Sequence, residues 1–212
     1  MKKYQRMYIC PEGFAFCITG LVCMAGALAL HWWILFIPFT CATLFTLWFF
    51  RDPERKVIKG ENLVVSPADG KIVKCALVHY DGERWIQVSI FMSVFNVHVN
   101  RAPVSGTITE KKYNPGKFHM AHVEKSSLLN EQMSITIKNE KGPVVVKQIA
   151  GMIARRIVCR VNIGDAVTQS DRFGLIRFGS RVDVLLPSTV ILKVVPGQAV
   201  KGGLSIIAEF GN

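Results

Sequence analysis

Residues 13 to 50 contain no lysine, arginine, aspartate or glutamate. A membrane segment is the first architecture against which such a block has to be tested. Gly13 to Leu30 and Trp32 to Phe50 each approach the roughly 20 residues of a bilayer-spanning helix, with His31-Trp32-Trp33 as a polar and aromatic break between them. The pattern predicts a helical hairpin. Lys2, Lys3 and Arg6 precede the block and Arg51, Arg55 and Lys56 follow it. These flanks put both outer ends at the cytoplasmic side of the cell (inner) membrane and the Trp32-Trp33 turn near the opposite interface. A cleaved signal peptide, suggested by the small residues from Ala25 to Ala29, leaves the second apolar block unexplained. A hairpin that dips into one leaflet stays open beside a full span, because Pro38 interrupts the second segment.

The chain has 212 residues, enough for one ordinary domain and an appendage. Its formal charge of +11 would suit nucleic acid, but cations crowd the flanks of the apolar block, so the expected partner is an anionic membrane surface and no nucleic acid. Cys10, Cys17, Cys23 and Cys41 lie in or beside that block, while Cys75 and Cys159 stand alone without CxxC spacing. Neither a zinc site nor a disulfide framework is expected, and no metal.

From Lys56 onward the character changes to short apolar runs rich in Val, Ile and Thr: 63–65, 71–77, 85–91, 107–112, 133–138, 144–149, 173–178, 182–186 and 190–195. Asp69-Gly70, Asp81-Gly82, Pro115-Gly116, Gly142-Pro143, Gly164-Asp165 and Pro196-Gly197 punctuate them as turns. The expected fold is mainly β, a barrel or sandwich with few helices, preceded by the hydrophobic helical hairpin. One helix is expected around Ala121 to Gln132, with Glu124, Lys125 and Glu131 on its solvated face. The expected division is residues 1–55 for the membrane-anchoring hairpin and 56–212 for the β-rich domain.

Three stretches of that domain offer an acid, an imidazole and a hydroxyl: Ser66-Pro-Ala-Asp-Gly70, His98-Val-Asn-Arg101-Ala-Pro103 and Phe178-Gly179-Ser180. A serine hydroxyl is a weak nucleophile at neutral pH, and needs an imidazole to take its proton and a carboxylate to orient that imidazole. Ser180, His98 and Asp69 are the candidates for those roles. Each also has a plain structural reading: Asp69-Gly70 as a turn pair, His98 as one residue of a strand between Val97 and Val99, Gly179-Ser180 as a hairpin turn. No G-x-S-x-G elbow surrounds Ser180. A glycine before the serine, between two strand-like runs, instead suits attack on the chain's own peptide bond, since glycine leaves its carbonyl unshielded and tolerates strained dihedrals.

Four segments together carry a resemblance: "FFRDPER" (49–55), "SPADGKI" (66–72), "FMSVFNVHVNRAPVSG" (91–106) and "GDAVTQSDRFGLIRFGSRVDVLLP" (164–187). In this order, behind an apolar anchor, they resemble phosphatidylserine decarboxylase proenzymes of the short prokaryotic branch, over nearly the whole chain. The resemblance implies that Ser180 attacks the carbonyl of Gly179, that the precursor separates into a large and a small chain between 179 and 180, and that Ser180 becomes a covalent pyruvoyl group. That group would serve as the electron sink for decarboxylating phosphatidylserine to phosphatidylethanolamine without pyridoxal phosphate.

The long branch of the family carries Leu-Gly-Ser-Thr at the cleavage point and H-x-x-H before a proline, where this chain has Phe178-Gly-Ser-Arg181 and His98-Val-Asn-Arg101. Arginine keeps its proton and cannot act as a base, so the proton transfer falls to His98, and Arg101 suits a carboxylate or phosphate of the substrate. His119 and His122 are further substrate-side candidates, and the histidine pair also reads as a loop or helix surface. The stretch "VNIGDAVTQSDRFGLI" resembles the turn and strand of lipoyl and biotinyl barrels but lacks their modified lysine, so it bears on architecture alone. Two other functions stay open on the residues: a non-catalytic membrane-tethered β-barrel accessory protein, and a serine hydrolase using Asp69, His98 and Ser180 in trans. Assembly into a homo-oligomer also stays open.

Overall fold

The computed structural model describes residues 8–116, 130–151, 156–177 and 179–211. They fall into two compact units that meet in sequence between Glu54 and Arg55.

The first unit is built on two helices, α1 (Phe14–Ala29) and α2 (Trp33–Phe49), with a short 3-10 turn at Pro11–Gly13 leading into α1. The two helices approach closely where Gly20 faces Thr43, since a Cβ at position 20 would lie 2.2 Å from the Thr43 hydroxyl. A small residue at such a crossing lets two apolar helices touch without a hydrophobic driving force between them. The hydroxyls of Thr40, Thr43 and Thr46 donate back to the carbonyls of Phe36, Phe39 and Ala42, so α2 carries its polar side chains on its own backbone. Most remaining side chains, among them Val22, Ile34 and Ile37, are exposed. The stretch Pro11–Ala29 is long and apolar enough to cross a membrane, and α2, with Pro38 inside it, is shorter.

The second unit is mainly β. Its strands are β1 (Leu63–Val65), β2 (Gly70–Tyr80), β3 (Glu83–Met92), β4 (Val99–Arg101), β5 (Gly106–Asn114), β6 (Gln132–Asn139), β7 (Gly142–Ala150), β8 (Ile157–Cys159), β9 (Ala166–Val167), β10 (Arg172–Ile176), β11 (Ser180–Pro187), β12 (Ile191–Leu192), β13 (Ala199–Val200) and β14 (Ile206–Glu209). Eight of them form one sheet in the order β13-β2-β3-β11-β7-β6-β5-β9, and two three-stranded sheets, β1-β14-β12 and β4-β10-β8, complete the unit. Asp81 and Gly82 both have positive φ, the two-residue connection whose twist matches paired strands, and they join β2 to β3. The large sheet curls enough to bring the Lys147 ammonium of β7 over the ring of Tyr80 on β2, three strands away, at 3.9 Å.

Strand alternation divides the large sheet into two faces. Val88, Ile90 and Met92, Val182, Val184 and Leu186, and Val144 and Val146 form the main core with Val64, Phe173 and Ile207 from the small sheets and Phe210 just after β14. The other face carries Arg181 and Asp183, almost fully buried and paired at 2.9 Å, with Gln87 donating to the same carboxylate at 3.0 Å. β11 is therefore buried on both faces, with Val182, Val184 and Leu186 against the main core and Arg181 and Asp183 removed from water as a pair on the other.

The long expected strands are present, extended by one to three residues. The run 190–195 contributes only the two-residue β12, and β10 ends at Ile176. The helix expected at Ala121 to Gln132 lies mostly outside the described residues; of its last positions, Gln132 opens β6 instead.

Removing the Asp183 carboxylate takes away the counter-charge that the buried Arg181 guanidinium meets at 2.9 Å, and breaking a buried ion pair from one side typically costs about 3–5 kcal/mol. Asp183→Leu should lower unfolding stability by that order in denaturant titrations in detergent, while the double substitution Arg181→Met with Asp183→Leu should recover most of the loss. Equal losses in both variants would contradict this reading of the pair.

Candidate active site

The end of β3 organises the site. Ser180 is the first residue of β11 and lies in register between Met92 of β3 and Ala150 of β7. Alternation turns it toward the main core with Val182 and Val184, and its side chain is completely buried. Its hydroxyl donates to the thioether of Met92 at 3.5 Å. Asn100 Nδ2 reaches the same sulfur at 3.8 Å, and Gln148 Nε2 donates to Asn100 Oδ1 at 2.8 Å. A thioether is a weak acceptor, so this buried hydroxyl is poorly compensated for the water it has lost.

Gly179 precedes it with φ +59°, and a Cβ there would have open space around it. Glycine is favoured at this position by backbone conformation, since a left-handed residue with a side chain costs roughly 1–2 kcal/mol. The Gly179 carbonyl oxygen accepts a hydrogen bond from the main-chain N–H of Gly151 at 3.1 Å.

His98 reaches the same end of the sheet by a tight reversal after Met92, in which Asn96 Oδ1 accepts from the amide and the hydroxyl of Ser93, each at 2.9 Å. The imidazole is buried, and the His98 carbonyl accepts from the amide of Ile176, the last residue of β10. Nδ1 lies 2.9 Å from the Asn96 carbonyl oxygen. A carbonyl can only accept, so Nδ1 carries the proton and the lone pair of a neutral ring lies on Nε2.

Asp69 sits at the start of β2, where Gly70 packs so tightly that a Cβ would lie 2.1 Å from the carbonyl oxygen of Phe91. Its carboxylate receives both ends of the Arg55 guanidinium, at 2.6 and 2.8 Å, and the amide of Gly202 at 2.8 Å. Arg55 also donates to the Gly202 carbonyl at 2.7 Å. The fold thus gathers the Ser180, His98 and Asp69 segments around the last residues of β3. Within that gathering Ser180 bonds to Met92 and Asp69 to Arg55 and Gly202, so no hydrogen bond links Asp69 to His98 or His98 to Ser180.

Arg101 is buried on β4, where its guanidinium donates to the Ser170 carbonyl at 3.2 Å. His119 and His122 lie outside the described residues. On the opposite face of β11, burial pushes the Asp183 carboxyl up and Arg181 opposes it, while burial pushes the Lys147 ammonium down and Asp183 opposes that. A cleft of about 580 Å³ lined by Lys59, Lys138, Lys141 and Gln169 lies at the other end of the sheet. Ser180 belongs to the end of β6 that begins at Gln132, roughly 20 Å from the Lys138 end at strand spacing, so the cleft is separate from this site.

Sequence reasoning passed over Met92, Asn100, Gln148, Gly151 and Arg55. Met92, Asn100 and Arg55 stood inside quoted segments, but their neighbours did not single them out: Arg101 follows Asn100, and Arg55 lies between Glu54 and Lys56. Gly151 acts through its backbone, which no side-chain pattern marks.

The family model described as phosphatidylserine decarboxylase matches residues 42–208. A phosphatidylserine decarboxylase proenzyme of Syntrophus aciditrophicus is 46% identical over 209 residues, covering 96% of this chain and 98% of its own. Proenzymes of the same name from Wolbachia pipientis wMel (46% identical; 95% of this chain, 90% of its own) and Ralstonia nicotianae (44% identical; 97% of both chains) are similar over the same extent. The matched span contains the buried serine, the left-handed glycine before it and the segments gathered around the end of β3: the chain belongs to the phosphatidylserine decarboxylase family.

Proposed function

We propose that the chain matures by cutting itself between Gly179 and Ser180, that residue 180 becomes a pyruvoyl group, and that the resulting two-chain enzyme converts phosphatidylserine to phosphatidylethanolamine. The observation that carries this reading is the buried Ser180 hydroxyl, held only by a thioether directly after a glycine in the left-handed region. A structural serine in a core ordinarily finds a strong acceptor. Here the hydroxyl stays available for chemistry on the neighbouring carbonyl.

In this reading Ser180 Oγ adds to the Gly179 carbonyl carbon and gives its proton to His98, whose basic nitrogen is Nε2. Collapse breaks the bond to the Ser180 nitrogen, which takes up the proton, and leaves an ester. Loss of the Ser180 α-proton then expels the Gly179 carboxylate, and hydrolysis releases ammonia. The pyruvoyl group supplies a ketone that accepts the electron pair left when carbon dioxide departs. The residues around position 180 fit it: Met92, Asn100 and Gln148 close the core side, and Ser180 is locked in register between two strands. Asp69 and Arg55 hold the start of β2 against Gly202, close to the histidine segment, and Arg101 is the candidate cation for a substrate carboxylate or phosphate.

The first unit we assign to the membrane. Two apolar helices with outward-facing Val22, Ile34 and Ile37 bury little against each other, and lipid is the solvent that removes such surface from water. The cationic flanks orient it with the β unit in the cytoplasm.

Ser180→Ala should give a single chain of 212 residues on denaturing gels with no decarboxylase activity; two chains from this variant would exclude Ser180 as the processing residue. His98→Ala should slow self-cleavage by about 10²- to 10⁴-fold, the usual loss on removing a general base. Asp69→Asn and Arg55→Ala should both slow it, because either deprives the other member of the bidentate pair of its counter-charge and loosens the loop at Gly202; native cleavage rates in time courses of all three would refute these assignments. Deletion of residues 1–54 should abolish flotation with anionic vesicles, and undiminished flotation would reject the anchor.

A further inference from the structure

We infer that the main-chain N–H of Gly151 is a catalytic donor in the self-cleavage, holding the Gly179 oxygen as it takes on negative charge. The inference rests on the self-cleavage reading above and adds to it the group that would stabilise the oxyanion.

When Ser180 Oγ bonds to the Gly179 carbon, the carbonyl π pair moves onto the oxygen, and that oxygen is the one already accepting from Gly151 at 3.1 Å. No reorganisation is needed at the moment of reaction, since the donor is fixed by the chain and aimed at the atom where charge develops. The bond forms because β7 and β11 are antiparallel with Ser180 opposite Ala150, so the next positions outward, Gly179 and Gly151, continue the ladder beyond the last paired residues. At that point the ladder passes out of regular structure: Gly179 turns left-handed, and its carbonyl is the one about to be attacked. The surroundings reinforce the donor. Ala150 and Ser180 are buried, and the Ala150 carbonyl accepts from the Asn130 side chain at 2.7 Å while its amide donates to the Glu131 carbonyl at 3.0 Å. The peptide plane that carries the Gly151 N–H is thereby held through its own carbonyl. A hydrogen bond to a forming anion in such a water-poor place is stronger than one to a neutral carbonyl.

The test replaces that single N–H. Full-length chain is made by cell-free translation in the presence of detergent, with glycolate in place of Gly151, so that an ester oxygen stands where the amide was. The same exchange is made with the hydroxy-acid analogue of valine at Val145, six positions back on the same edge of β7 and paired with Leu185. Conversion of precursor to fragments ending at 179 and beginning at 180 is followed by mass. The ester at 151 should slow conversion by about 10²- to 10³-fold, as loss of one oxyanion donor does; the ester at 145, which removes an N–H of the same ladder far from the cleaved bond, should stay within about threefold of the parent. Equal slowing at 151 and 145, or a 151 ester at the parental rate, would overturn the inference. Amide exchange of Gly151 in the Ser180→Ala precursor gives a second reading that needs no ester chain to fold: the amide should be protected, and exchange at the rate of an open peptide would also overturn it. A parent chain that is not cut between 179 and 180 would overturn the self-cleavage reading itself, a result distinct from all of these.

Discussion

The structure depends on one strand being held from both sides. β11 pairs along its length with β3 and, over most of it, with β7, both antiparallel, and both its faces are buried. Its first residue is Ser180. A serine at the entry of such a strand cannot drift: its backbone is fixed by two ladders, its side chain by the core behind Met92, and its neighbour Gly179 by the Gly151 amide. The same constraint places the Asp69 and His98 segments, since one packs against the last carbonyls of β3 and the other follows directly from it.

That arrangement also accounts for how the fold could tolerate a break at position 179. The segment from Ser180 onward does not form a unit of its own. β11 lies inside the large sheet, β13 pairs with β2, and β14 pairs with β1, while the loop at Gly202 is tied to Asp69 and Arg55. Arg181 and Asp183 add a buried ion pair within three residues of the new end, on the face away from the site. The strand's register is thus secured by contacts that do not involve the peptide bond before Ser180.

Much of this was legible in the residues. The uncharged block with its cationic flanks gave the helix pair, and runs of Val, Ile and Thr between Gly-containing turns gave the long strands, because both signals are local. The two- to four-residue strands β8, β9, β13 and β14 were missed because their pairing is set by distant partners rather than by their own periodicity, and the strand read through Val97, His98 and Val99 begins only at Val99 as β4. At the site, the motifs named Asp69, His98 and Ser180, and the fold brings their segments to one end of β3. Which partner each takes was not readable. Asp69 turns to Arg55, whose position depends on the loop at Gly202, and Nδ1 of His98 turns to a backbone carbonyl. Carbonyls and amides occur at every position, so a sequence cannot mark the one that matters.

The central claim is that Ser180 is consumed to make the catalytic ketone, and the mass of the C-terminal fragment of the purified, active enzyme tests it most directly. A fragment running from residue 180 to residue 212, lighter than its serine-started sequence by one ammonia and shifted further by a carbonyl reagent, is the expected result. An active enzyme whose only species is the intact chain, or whose fragment begins with an unmodified serine, would contradict the account.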